Sequence, residues 1–224
     1  ILCSGMKLKT MMKLFGLGLL VVLILSPVIF LKKDQIFSET RIGRFTGFMD
    51  PFGTKAGEGF QLYNSYLALG TGGIKGLGLG QSVQKLGYLP EPHTDFIMAI
   101  IAEELGIFGV AFVLLGLSYL VLRGIYIGVK CRDPFGSLLS IGISSMVGIQ
   151  AFINLGGVSG IIPITGVPLP LISYGGSSLL LLSASLGVLV NVSMFVKYEE
   201  KYKKKQEHTT MQKTSINHRG FKVH

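Results

Sequence analysis

Apolar residues in this chain come in long runs separated by short polar patches, and the length of the runs says what they are. Hydrocarbon about 30 Å thick needs roughly 20 apolar residues in a helix. Four segments reach that length, 14–31, 96–122, 135–162 and 175–196. The pattern therefore predicts an all-α integral membrane protein with four transmembrane helices, residues 1–196 forming the membrane unit. A long loop, 32–95, separates the first two spans. A polar tail rich in Lys, Gln and Thr, 197–224, follows the last and is expected to be disordered.

The loop is too long for a passive connector and carries structure of its own. In "GFQLYNSYLALG" the residues Leu62, Tyr63, Tyr66, Leu67 and Leu69 recur at near-helical spacing, with Gln61, Asn64 and Ser65 on the other side. This predicts an amphipathic helix, and two placements are equally open: on the membrane surface, or packed on the protein's own spans. The next stretch, "GTGGIKGLGLGQS", invites a phosphate-loop reading but fails it. It lacks a Gly-Lys-Ser/Thr ending, and Lys75 or Gln81 stands where a third glycine is needed. These glycines are expected instead to permit tight turns and close backbone approach.

Charge orients the chain. The net charge of +9 raises the question of nucleic acid, but the basic residues cluster at the edges of the apolar runs. Lys7, Lys9 and Lys13 precede the first, Arg123, Lys130 and Arg132 follow the second, and Lys197, Lys201, Lys203, Lys204 and Lys205 follow the last. Four spans place all three groups on one side, which the positive-inside rule makes cytoplasmic, so no nucleic acid is expected as a partner. The loop 32–95 and the uncharged connection 161–174 then face outward. Cys3 and Cys131 fall on the cytoplasmic side with no His or Cys at metal-ligand spacing, and are read as bystanders. The opening "ILCSG" has neither an initiating Met nor a signal-peptide pattern, which leads us to expect an upstream part.

Candidate chemistry gathers at the mouth of the second apolar run, in "YLPEPHTDFIMAIIAEELG". Pro90 and Pro92 disfavour helix just ahead of His93, Thr94 and Asp95. Thr94 or Asp95 can cap the helix that follows, and that plain reading competes evenly with a functional one. Glu103 and Glu104 lie farther in, where carboxylates are costly and tend to face a polar cavity, though at least one is close enough to the edge to reach water. In "IIPITGVPLPLISYGGSS" three prolines and paired glycines break the helix at the same edge. Irregular backbone at that depth must be shielded by protein or line a water-filled cavity. The two segments are therefore expected to form one outward-facing site.

The stretches "GFMDPF", "GLGLGQSVQKLGYLPEPHTDFIMAIIAEELG" and "ITGVPLPLISYGGSS" resemble signature segments of the FtsW/RodA (SEDS) family of bacterial peptidoglycan glycosyltransferases, and "QKLGYLPEPHTDF" resembles the division branch more than the elongation branch. The resemblance covers nearly everything from 45 to 191. It implies an enzyme of the bacterial cytoplasmic (inner) membrane, at the division septum, that polymerises lipid II at the outer face by β-1,4 bonds and releases undecaprenyl diphosphate. It further implies a class B penicillin-binding protein and other division proteins as partners. The Asp of "HTDF", Asp95, is the family's essential acidic residue and the catalytic candidate. Glu91, His93 and Thr94 join it as substrate-binding candidates, with Ser173, Gly175, Gly176 and Ser177 from the second segment. Lys75, Lys85 or Arg44 could offset diphosphate charge, or a divalent cation, Mg or Mn, could do so. Gly87 departs from relatives that carry an acidic residue there. The family's membrane core has further spans that this chain does not match, so the chain alone is expected to make no glycan.

Glu91 and Asp95 also invite comparison with a glycosidase pair, but hydrolysis would destroy the polymer. A lipid II transporter would be marked by polar residues within spans, and Gln150, Asn154 and Asn191 are present, but these spans show no inverted repeat. A non-catalytic division scaffold and an elongation-type polymerase are the remaining alternatives.

Overall fold

The computed structural model describes residues 12–13, 16–21, 23–24, 39–90 and 92–220, the side chains of 39–42 and 203–220 excepted. Every regular element among them is helical: α1 Glu39–Met49, α2 Phe60–Gly72, a 3₁₀ turn Gln84–Leu86, α3 Ile97–Lys130, α4 Pro134–Val158 and α5 Gly176–Gly220. Among the described residues three helices are long and apolar enough to cross a membrane, Ile97–Lys130, Pro134–Val158 and Gly176–Tyr202. Only 17–28% of their most apolar stretches is covered by protein. Phe108, Phe112, Leu115 and Val129 on α3 are among the side chains left exposed, a surface that water would not tolerate and lipid would. The first expected span, 14–31, falls largely outside the described residues.

The three long helices run up, down and up. Asp133 caps α4, its carboxylate accepting from the Gly136 N–H at 2.7 Å, and Pro134 fills the first turn. At this end α3 and α4 approach through small residues: a Cβ on Gly124 would lie 1.9 Å from Ser144 Oγ. Lys130 reaches Glu200 at 3.2 Å and lies over the Tyr126 ring, so the end of α3 and the middle of α5 share the basic end of the bundle. Beyond it α5 continues to Gly220. The run of Lys, Glu and Gln there has strong helix propensity and extends a helix already begun.

The core lies at the other end. Phe96, Met98, Ala99 and Ile100 at the start of α3 pack with Ala68, Leu89, Ala151, Val158 and Leu169. Helix α2 lies on this core, with Leu62, Asn64, Ser65, Ala68 and Gly72 buried. Packing on the spans is thus the placement found, and the expected polar face is reversed. Asn64 and Ser65 point inward, where Asn64 Nδ2 donates to the Tyr88 carbonyl and Ser65 Oγ to the Val158 carbonyl, both at 2.8 Å, while Leu67 is exposed. A buried polar side chain with a fixed partner serves packing as well as an apolar one and adds direction.

Helix α3 is broken, which its apolar run does not announce. Gly106 sits at φ 64° and ψ −155°, so the helix stops and restarts there. A break leaves carbonyls without helical donors, and the glycine loop supplies the replacements. Leu77 N–H donates to Glu103 O and Gly78 N–H to Glu104 O, both at 2.9 Å, and Ile107 N–H turns to Gly73 O at 3.2 Å. Such contact needs bare backbone on both sides: a Cβ on Gly76 would lie 2.2 Å from Glu104 O, and one on Gly106 would lie 2.5 Å from Gly76 N. The close approach expected of these glycines is their use here.

Gly76→Ala should therefore lower the stability of the full-length protein by about 2–4 kcal/mol, since it adds both a clash and a left-handed penalty at φ 74°. Gly70→Ala, on the open face of α2 with nothing within 4 Å of its Cβ, should be neutral or stabilising by about 0.5–1 kcal/mol. Thermal unfolding in detergent compares the two, and equal effects would mean the loop is not wedged into the break.

Candidate functional site

Residues 93–95 have no helical use for their carbonyls, because α3 begins with Phe96 as its N-cap and without a capping side chain. Asp95 thus stands one residue outside the cap position. All three carbonyls find donors in the second segment or on α4. Tyr174 N–H donates to His93 O at 2.8 Å, Ser173 Oγ to Thr94 O, and Asn154 Nδ2 to Asp95 O at 2.8 Å. The expected pairing of the two polar segments is found, in the form of three successive backbone carbonyls each held from across the site. Phe96, 1% exposed, then plugs the chain into the core directly beneath.

The second segment is itself tied down at several points. Gln150 and Asn154, one turn apart on α4, donate to Pro168 O at 3.1 Å and Val167 O at 2.8 Å. Ser173 Oγ also accepts from the Leu169 N–H at 2.7 Å, which closes the turn. Between these anchors Leu171 is held at φ 65°, the only non-glycine residue with positive φ among those described.

Two clefts flank the segment 93–95. The larger, about 600 Å³, is lined by His93, Ile97, Leu179 and the stretch Leu171, Ile172, Ser173, Tyr174, Gly175 and Gly176. Its lining is mostly apolar, with His93 and Tyr174 exposed at its edge. The smaller lies among Asp95, Asn154, Gly157, Ile164, Thr165 and Gly166, with room for about one water-sized group. Gly166 is bordered by both Asp95 and a cation. A Cβ there would lie 3.5 Å from Asp95 Oδ2 and 4.0 Å from Arg44 Nη1. Arg44 on α1 and the acidic candidate thus share the space over Gly166.

The other sequence candidates are distributed unevenly. Lys85 is committed to Glu104, Nζ to Oε1 at 2.5 Å, which leaves less of its charge for an anionic ligand than its sequence position promised. Lys75 is exposed on the glycine loop. Glu103 is 1% exposed and reaches no water: its carboxylate accepts from Ser82 Oγ, from Val83 N–H at 3.1 Å and from Gln84 N–H at 3.4 Å. Both carboxylates therefore hold the chain leading up to the site. Thr94 is half-buried, Ser173 is buried with its hydroxyl engaged on both sides, and Ser177 is exposed. Glu91 lies outside the described residues. In the sequence Asn154 stands out only as a polar residue within an apolar run; its link to Asp95 crosses 59 positions, a distance no local pattern reports.

The comparisons with known proteins agree with one another. The family model FTSW_RODA_SPOVE, described as "Cell cycle protein", matches residues 1–198. The chain is 62% identical over 206 residues, 92% of its own length and 51% of the relative's, to "Probable peptidoglycan glycosyltransferase FtsW" of Bacillus subtilis (strain 168). It is 51% identical over 158 residues, 70% of its own length and 43% of the relative's, to "Stage V sporulation protein E" of the same organism. Among solved structures it is similar, at TM-score 0.57 and 28% identity over 83% of this chain and 48% of the other, to a chain of "Structural coordination of polymerization and crosslinking by a peptidoglycan synthase complex". The chain spans about half the length of the curated relatives it matches.

Ser173→Ala removes the donor to Thr94 O and the acceptor for Leu169 N–H, and each buried group left unpaired costs about 1–3 kcal/mol. The variant should lose at least that much stability in detergent melts of the full-length protein. Ser177→Ala should stay within about 0.5 kcal/mol of the parent, and matching values for the two would mean that the Ser173 hydroxyl does not tie the two segments together.

Proposed function

We propose, from the premise that this chain belongs to the FtsW/RodA/SpoVE family, that it supplies the outward-facing part of a glycosyltransferase that polymerises lipid II during cell division. The observation that carries this reading is Asp95: its own and the two preceding carbonyls are each held from across the site, and its carboxylate and Arg44 both border Gly166. Relatives named as peptidoglycan glycosyltransferases support the reaction class. The branch assignment has the same support.

In the proposed reaction the Asp95 carboxylate takes the proton from the acceptor sugar hydroxyl as that oxygen attacks the anomeric carbon of the donor. The new glycosidic bond forms as the bond to diphosphate breaks, and undecaprenyl diphosphate leaves with the electron pair. Diphosphate is a good leaving group, so proton removal can come late and placement of the carboxylate matters more than its basicity. Arg44 is the cation best situated to offset charge on the leaving group, ahead of Lys85 with its carboxylate partner. Among the described residues no three His, Cys, Asp or Glu side chains converge. A Mg²⁺ or Mn²⁺ ion would then be held chiefly by the diphosphate oxygens, with one or two carboxylates at most. The large cleft, apolar with His93 and Tyr174 at its edge, suits the prenyl end of the same substrate.

The proposal places the site at the outer face of the cytoplasmic membrane, with four spans in the chain, the loop 32–95 outside and the C-terminus inside. The basic residues at the far end of the bundle support that orientation. The proposed partners are a class B penicillin-binding protein and other division proteins at the septum.

Two experiments test this reading on the full-length protein. Asp95→Asn keeps size and hydrogen-bonding capacity, and should reduce polymerisation of labelled lipid II by about 10²–10⁴-fold with the protein still folded and inserted. Near-normal glycan from this variant would remove Asp95 as the base. For topology, single cysteines at the exposed positions Thr71 and Thr165, in a background lacking Cys3 and Cys131, should react in intact cells with a membrane-impermeant thiol reagent, and one at Arg132 should not. The opposite labelling pattern would invert the orientation.

A further inference from the structure

The residue that links Asp95 to the second segment has a hydrogen-bonding pattern that a simple anchor would not need. Asn154 is 3% exposed, and its amide nitrogen donates to two carbonyls at once, Asp95 O and Val167 O, each at 2.8 Å. Its amide oxygen has no partner among the described residues. The side chain thus leaves its own acceptor unpaired in order to aim both N–H bonds at carbonyls, a costly arrangement in a buried setting. Gln150, one turn earlier on the same helix, anchors the same segment with a single bond to Pro168 O. If holding the segment were the whole task, the Val167 bond would complete it. The additional contact made by Asn154 is to the peptide of Asp95.

We propose that Asn154 is a positioning residue that sets the place of the Asp95 carboxylate for proton transfer; this rests on the reading of Asp95 as the base. The physical route is short. The carbonyl of Asp95 and its side chain leave the same Cα, so a hydrogen bond that fixes the peptide plane also fixes where the side chain starts. Phe96 holds the following residue in the core, and Ser173 and Tyr174 hold the carbonyls of Thr94 and His93. Asn154 adds a hold on the carbonyl of Asp95 itself. It also lines the small cleft with Asp95, Thr165 and Gly166, so the two side chains border the same space. Only a side chain with two N–H bonds on one nitrogen, at this length, can serve both carbonyls. Aspartate lacks the donors when ionised, and alanine or leucine has none. Displacing a reacting group by as little as 1 Å can cost about 10²-fold in rate, so loss of the bond should act on the chemical step.

The test uses the full-length protein with labelled lipid II, measuring kcat and KM for Asn154→Ala, Asn154→Asp, Gln150→Ala and Asp95→Asn. Asn154→Ala should lower kcat by about 10–100-fold with KM within about threefold. Gln150→Ala should change kcat by less than about twofold while lowering thermal stability as much as Asn154→Ala does. Combined with Asp95→Asn, Asn154→Ala should cost little more than Asp95→Asn alone, because a residue that acts through the base has nothing left to position. Equal kcat losses from Gln150→Ala and Asn154→Ala, or a rise in KM with kcat unchanged, would overturn the proposal in favour of segment anchoring. If neither Asn154→Ala nor the isosteric Asn154→Asp accumulates in folded form, Asn154 is a folding residue and the proposal is likewise overturned. Near-normal activity in Asp95→Asn is a separate outcome: it removes the base reading itself, whatever the Asn154 variants do.

Discussion

A carbonyl that loses its helical donor in apolar surroundings must be given another, and this chain meets that demand twice within twelve residues. At the Gly106 break the donors come from the glycine loop, Leu77 and Gly78 serving Glu103 and Glu104. Ahead of α3 they come from Tyr174, Ser173 and Asn154, serving His93, Thr94 and Asp95. Without water as a fallback, each unpaired group would cost several kcal/mol. The irregular backbone here is therefore held by specific partners at both ends of the short helical stretch that begins α3. That stretch carries Glu103 and Glu104 at one end and follows Asp95 at the other, so the carboxylates are mounted on a single braced piece.

The bracing decides which charged groups are available. Glu103 and Glu104 gather Ser82, Val83, Gln84 and Lys85, tying the loop that leads into the site. Lys85 thereby becomes part of the mount. Arg44 comes from a different element and, like Asp95, borders Gly166, where the absence of a side chain on the glycine leaves room for both. The division of labour between the cations follows from geometry that their sequence positions do not reveal.

What could be read from the sequence was what depends on local pattern. Apolar run length anticipated three long helices and where each begins, though α3 runs on to Lys130 and α5 to Gly220, past the apolar stretches themselves. The prolines and paired glycines marked both irregular segments, and the need to shelter their backbone brought them together. Local pattern failed where a distant partner reverses the meaning of a residue. Asn64 and Ser65 read as a polar outer face because the carbonyls they meet, at Tyr88 and Val158, are 24 and 93 positions away. Gly106 reads as a tolerated helical glycine until the loop 73–78 is placed against it.

Leu171 shows what the anchoring of the second segment achieves. A branched side chain at φ 65° is disfavoured by about 1–2 kcal/mol, and such a conformation persists only where its surroundings over-determine it. Here they do, with Leu169 and Ser173 bonded to each other on either side of it and Pro168 and Val167 held from α4. A segment kept under strain in the resting molecule has already lost the conformational freedom that a loose loop would lose on meeting its ligand. The entropy of ordering is then met once, during folding, and a ligand of the large cleft would meet a wall already preorganised.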